Sequence, residues 1–257
     1  MKKQYDNYIF DLYGTLVDIH TNESKGYLWE KMALFYSMNG ALYEPNEFKN
    51  AYKNLCRIEE KKQCDEIFKL DNPENLGRRE IKAGLEINID YVFARLYMDK
   101  NITPSHDLLQ NTETVFRTIS IEYIKLYPGS KEMLTELKKR GKRLFLLSNA
   151  QHAFTLPELS KLGINDIFDA VYISSKARFK KPSSRFYGSL IKNEGLDVKK
   201  SIMVGNDIEC DIEGACEIGL DTFYICSNLS PGKDSKETVK ATFSSDMDNA
   251  YEKLLEV

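Results

Sequence analysis

Histidine is scarce. The chain of 257 residues holds three, His20, His106 and His152, scattered far apart, and that argues against a metal centre built on imidazoles. His20 and His152 follow two candidate site segments closely, as cleft-lining groups or as partly exposed polar residues. Cysteine is sparse and odd in number: Cys56, Cys64, Cys210, Cys216 and Cys226 form no C-x-x-C pair and read as reduced, structural thiols. No segment approaches the roughly 20 consecutive apolar residues that would span a bilayer. The opening "MKKQYDNYIF" has neither a long apolar run nor a small-residue cleavage site, so it reads as a first strand and not as a signal peptide. There is no basic excess. Lys and Arg number 36 against 39 Asp and Glu, a net charge of −3, and so no electrostatic footprint for nucleic acid. Internal repeats and low-complexity tracts are absent too. These absences predict a cytoplasmic protein with no nucleic-acid or membrane partner.

What is present falls into two rhythms. Residues 5–11 form a short aromatic and β-branched run ending in an acid, Asp11, followed by the loop Tyr13-Gly14-Thr15. From about Asn22 to Lys125 apolar residues recur at three-to-four spacing, as in "YLWEKMALFYSM" and "IDYVFARLYM", and predict helices. Breaks are expected at Asp71–Gly77 and in "DKNITPSHD". Beyond Tyr127-Pro128-Gly129 strands and helices alternate. "SKEMLTELKKRG" predicts a helix with a serine start, "RLFLLSN" a buried strand, "PELSKLGI" a helix and "DAVYISS" a strand. "SSRFYGSLIKNEG" predicts a helix, "SIMVGND" a strand, "DIEGACEIG" a helix and "DTFYICS" a strand. Ser227–Glu237 reads as an exposed loop before a final strand and helix. The alternation predicts an α/β fold, a Rossmann-like doubly wound parallel sheet. The helical block is too long for a loop. It predicts an inserted all-helical cap domain over residues 19–125, with residues 1–18 and 126–257 forming the core.

Ligand sites in open α/β sheets lie beyond the carboxyl ends of the strands. Polar residues gather at those ends: Asp11 and Thr15, Ser148 and Asn149, then Asn206, Asp207 and Asp211, with Lys181 in the loop "RFKKPSSRFY". The ordered set Asp, Ser, Lys-Pro, Asp resembles the four motifs of the haloacid dehalogenase (HAD) superfamily. "FDLYGTLVD" is similar to its first motif, "FLLSNA" to the second, "KKPSSRFY" to the third and "VGNDIECDIEGA" to the fourth. The helical insert stands where that family's first type of cap stands.

The resemblance implies a hydrolase in which Asp11 is the nucleophile, forming a covalent intermediate that water resolves. Thr15 and Ser148 would donate hydrogen bonds to the transferred group, and Lys181 would offset the clustered negative charge. Asp11, Asp207 and the backbone carbonyl of Tyr13 would form a Mg2+ site of hard oxygens, with Asp211 either a partner of metal-bound water or a helix N-cap. Tyr13, Asn149, Tyr187 and Asn206 are the candidates for touching substrate, Tyr187 alternatively being a core aromatic with its hydroxyl at the rim. Gly205 and Gly214 are expected to permit close backbone packing.

Tyr13 stands where the family's phosphatases carry a second Asp that protonates the leaving alcohol. The family's 2-haloacid dehalogenases carry D-x-Y-G-T, as here, since a halide leaves without a proton, and they also have Tyr at the position of Tyr187. The fourth motif keeps the acid Asp207 that a phosphatase uses, and Ile208 stands where the dehalogenase pattern has Asn. The cap arginine that would bind a haloacid has no clear counterpart, Arg57, Arg78, Arg79 and Arg95 being candidates by type alone. The favoured expectation is Mg2+-dependent hydrolysis of a small phosphorylated metabolite. Metal-independent 2-haloacid dehalogenation, and a non-catalytic binding protein on the same scaffold, are the alternatives.

Overall fold

A computed structural model describes residues 4–70, 76–231 and 241–257. Most of the break expected at Asp71–Gly77 and the end of the loop expected at Ser227–Glu237 lie outside these residues. The chain divides into two compact units, residues 1–19, 124–150 and 158–257 forming the first and residues 20–123 and 151–157 the second.

The first unit is built on a six-stranded sheet in the order β5-β4-β1-β6-β7-β8. Its strands are β1 (Asn7–Phe10), β4 (Arg143–Ser148), β5 (Ala170–Ile173), β6 (Ser201–Gly205), β7 (Asp221–Cys226) and β8 (Phe243–Asp246), and every neighbouring pair is parallel. Parallel strands are covered on both faces, which is why β1 and β6 are buried at every position and are apolar after their first residues, Asn7 and Ser201. Around the sheet run α6 (Ser130–Lys139), α7 (His152–Leu162), α8 (Ser174–Ala177), α9 (Ser184–Glu194), α10 (Gly214–Glu217) and α11 (Met247–Leu254), the first turns of α7 falling in the second unit. The α9 helix buries Phe186, Tyr187 and Leu190 on one stripe, and these join Ile9, Phe145, Leu147 and Met203 of the sheet in one apolar cluster. It ends where expected, on Gly195 in the left-handed region at φ +61°.

The second unit contains α1 (Gly26–Met38), α2 (Pro45–Leu70), α3 (Arg78–Ala83), α4 (Ile89–Met98) and α5 (His106–Ser120). Its core is aromatic: Trp29, Tyr36, Tyr52, Phe93 and Phe116 pack together, and Tyr36 stacks on Tyr97 with ring centroids 4.0 Å apart. No described helix is long and apolar enough to cross a membrane.

Three details depart from the sequence reading. The helical rhythm stops before Lys125, because Ile121–Leu126 is a strand, β3, paired with β2 (Val17–Thr21). This segment has isoleucine at two positions and a tyrosine, which suit a pleated, half-buried surface. "DIEGACEIG" is not one regular helix but a π-helical turn, Ile208–Glu213, followed by α10. Residues 151–157, placed with the core by the sequence, group with the helical unit, where Phe154 stacks on Phe116 at 5.9 Å.

Candidate active site

Three adjacent strands, β4, β1 and β6, run parallel in the middle of the sheet, so their carboxyl ends open on one edge. Asp11 leaves β1 there, Ser148 ends β4, and Asn206 and Asp207 follow β6. A cleft of about 170 Å³ is lined by Asp11, Tyr13, Asn149, Lys181, Asn206 and Asp207, together with Cys210, Asp211, Leu229 and Pro231.

The centre of the arrangement is a buried ion triad. Lys181, 2 % exposed, places Nζ 2.7 Å from Asp11 Oδ1 and 2.6 Å from Asp211 Oδ1. Burial alone would push this ammonium down, but the two carboxylates more than reverse that and hold its pKa above the ordinary lysine value. Burial pushes the Asp211 carboxyl up, against the pull of Lys181. The other oxygen of Asp211 accepts the backbone N–H groups of Asn206 (3.1 Å) and Asp207 (3.0 Å). Asp211 is therefore not the helix cap. That role falls to Asp207, whose Oδ1 accepts the Cys210 N–H at 2.9 Å.

The flanking residues set Asp11 in place. Thr15 Oγ1 lies 3.5 Å from Asp11 Oδ2 and 3.2 Å from Asn206 Oδ1, and Ser148 Oγ lies 3.4 Å from Asp11 Oδ1. Both residues are buried, and neither is among those lining the cleft. Asn149 forms a reciprocal pair with the Lys181 backbone: its Oδ1 accepts the N–H at 2.8 Å and its Nδ2 donates to the carbonyl at 3.0 Å. Its side chain thus anchors the lysine loop while lining the cleft. Tyr187 is fully buried, and its hydroxyl donates to the Cys210 carbonyl at 2.6 Å. It belongs to the core, with its phenol pushed well above the ordinary value by burial, and the structure does not bring it to the cleft.

Two glycines make the crowding possible. A Cβ on Gly205 would sit 2.3 Å from the Asp211 carboxyl, and one on Gly214 2.6 Å from the Pro182 side chain. Gly14 has φ +88°, and a Cβ there would lie 2.3 Å from Asn206 Nδ2. Gly14→Ala is expected to cost about 1–3 kcal/mol of stability from backbone strain and displacement of Asn206. Urea unfolding checks this, and an unshifted midpoint would count against the close approach.

Other sequence candidates are dispersed. His20 pairs with Glu122 at 2.8 Å, and neither it nor His152 lines the cleft. Arg78 pairs with Asp65, Arg95 with Asp99 at 2.7 Å, and Arg57 and Arg79 are exposed. The five cysteines are unpaired thiols. A larger groove of about 560 Å³ between α2 and α4 is lined by Glu59 with Lys62 and by Arg95 with Asp99, pairs that neutralise each other. It offers no buried reactive group, so the smaller cleft is the better site.

Sequence reasoning missed two groups here. Glu158 of α7 accepts the Tyr13 hydroxyl at 2.5 Å across 145 residues of chain. Cys210 lines the cleft, and burial pushes its thiol up to about 12, away from thiolate character at neutral pH.

The sequence pattern of haloacid dehalogenase-like hydrolases matches residues 5–219. The chain belongs to this family. Among curated relatives, a glyceraldehyde 3-phosphate phosphatase of Methanothermobacter thermautotrophicus is 30% identical over 115 residues, 45% of this chain and 51% of the relative. A ribulose-1,5-bisphosphate 5-phosphatase of Halopiger xanaduensis is 31% identical over 47% of this chain and 49% of the relative. The matches thus span about half the length of these relatives. Among solved structures, the Bacillus subtilis protein YfnB, crystallised with magnesium, superposes with a TM-score of 0.52 at 17% identity, covering 99% of this chain and 98% of that one. That similarity establishes the shared fold.

Proposed function

We propose that this chain is a Mg2+-dependent phosphatase of the family, using Asp11 as the nucleophile on a small phosphorylated molecule. The observation that carries this is the Asp11 carboxylate at the end of β1, with one oxygen 2.7 Å from the buried Lys181 ammonium and Asp207 lining the same cleft. The phosphatase activities named for the curated relatives support the same reading, and nothing in the cleft favours the dehalogenase alternative beyond Tyr13 itself.

The donor set suits magnesium. Asp11, Tyr13 and Asp207 line one cleft, where the two carboxylates and the Tyr13 carbonyl would offer hard oxygens. One or two carboxylates with the remaining positions left to water and phosphate is the way Mg2+ is commonly held. When bound, the ion would neutralise phosphate charge and draw electrons from phosphorus.

The chain's own residues do the rest. Thr15 and Ser148 fix the Asp11 carboxylate. Lys181 lowers the cost of bringing an anion beside Asp11 and Asp211. An Asp11 oxygen bonds phosphorus as the bond to the leaving oxygen breaks, and water then hydrolyses the aspartyl phosphate.

Phosphate release from a panel of phosphorylated metabolites, acyl phosphates included, tests the reading. Release is expected with Mg2+ and should fall at least about 100-fold in excess chelator. Equal rates in chelator would remove the metal from the mechanism. Halide release from 2-haloacids without phosphate release would replace the reading by the dehalogenase one.

A further inference from the structure

Tyr13 stands two residues after the nucleophile, where the resemblance implies that a phosphatase keeps its proton donor. A phenol has one proton, and an ionised carboxylate only accepts. The Tyr13 O–H donates to Glu158 Oε2 at 2.5 Å, in the range of strong charge-assisted bonds. Tyr13 is half-buried and lines the cleft, whereas Glu158 is buried and does not line it. The phenolic proton is therefore committed to a group outside the cleft.

The remaining candidates for a proton donor are also engaged. Lys181 is shared by two carboxylates, Asp211 is held by Lys181 through one oxygen and by the Asn206 and Asp207 N–H groups through the other, the Asn149 amide is held by the Lys181 backbone, and the Cys210 thiol lies 3.5 Å from the Lys181 carbonyl. Thr15 and Ser148 are buried against Asp11 and do not line the cleft.

We infer that Glu158 is a positioning residue that sets substrate class: by holding the Tyr13 hydroxyl it denies the leaving group a proton, and so restricts the enzyme to acyl phosphates and similar substrates whose leaving group departs as a stable anion. This role presupposes that Asp11 attacks phosphorus, as proposed above. In the step itself the Asp11–phosphorus bond forms and the phosphorus–oxygen bond to the acyl group breaks. The departing carboxylate keeps the electron pair, and no proton is needed. An alkyl phosphate would have to expel an alkoxide unaided. The relatives' named substrates, such as glyceraldehyde 3-phosphate, are alkyl esters of that kind, and Tyr13 is where this chain departs from the phosphatase pattern.

The test compares kcat/KM for acetyl phosphate and glycerol phosphate in Mg2+, corrected for spontaneous hydrolysis. The ratio of the two is independent of how much of a variant is folded. The wild-type ratio is expected at about 10²–10⁴ in favour of acetyl phosphate, the usual worth of a missing general acid. Glu158→Gln keeps an acceptor oxygen and should hold that ratio within about threefold. Glu158→Ala removes that acceptor and should narrow the ratio by about tenfold or more, and adding Tyr13→Phe should restore it. A wild-type ratio near one, or an unchanged ratio in Glu158→Ala, overturns the role of Glu158 while leaving the phosphatase reading intact. No phosphate release from either substrate by the wild type overturns the phosphatase reading and this role with it.

Discussion

Asp11→Asn should abolish phosphate release while leaving the protein folded. An amide is no nucleophile toward phosphorus, and losing the attacking atom removes the covalent route itself, so a fall of roughly 10⁴-fold or more is expected. The triad explains why folding should survive. Asp11 and Asp211 share one cation, Lys181, at 2.7 and 2.6 Å, so the buried group carries more negative than positive charge. Removing one carboxylate leaves Lys181 paired with Asp211, an ion pair without excess charge. The urea midpoint should therefore stay within about 1 kcal/mol of wild type or rise, as expected where a site is strained for function. Phosphate release within tenfold of wild type would dismiss Asp11 as nucleophile. Loss of folding would mean that the second carboxylate is structural.

The positions of Asp11, Ser148 and Asp207 were legible because each ends an apolar run, and a parallel sheet brings the carboxyl ends of such runs to one edge. Lys181 was legible only through resemblance, since nothing local marks a loop lysine as buried. Partner choice was not legible at all. Asp207 and Asp211 are both acids near a helix start, and only the path of the π-helical turn decides that Asp207 caps it while Asp211 turns inward to Lys181. Tyr187 and Asn149 are polar residues in the right segments whose polar atoms are spent on backbone groups, a choice made by packing. Glu158 sits in "PELSKLGI" with no local signal, and its link to Tyr13 depends on how α7 lies against the loop after β1. Strand β3 escaped because a short apolar segment following helices fits either period.

Lys181→Met should damage stability as well as activity, in contrast to Asp11→Asn. Methionine has a similar length and fills the space, so the loss is electrostatic and not a cavity. Two carboxylates, Asp11 and Asp211, would then face the same buried space with no cation, and breaking a buried ion pair by removing one partner typically costs 3–5 kcal/mol. A loss of about that size is expected in urea unfolding, with phosphate release falling to background. A second substitution separates charge from packing. Asp211→Asn added to Lys181→Met removes one of the two uncompensated charges, while the Asn side-chain oxygen can still accept the Asn206 and Asp207 N–H groups. It should return about 1–3 kcal/mol of stability without restoring turnover, because Asp11 would still lack the ammonium beside it. If the double variant is no more stable than Lys181→Met alone, the lysine holds the site together by packing and not by charge.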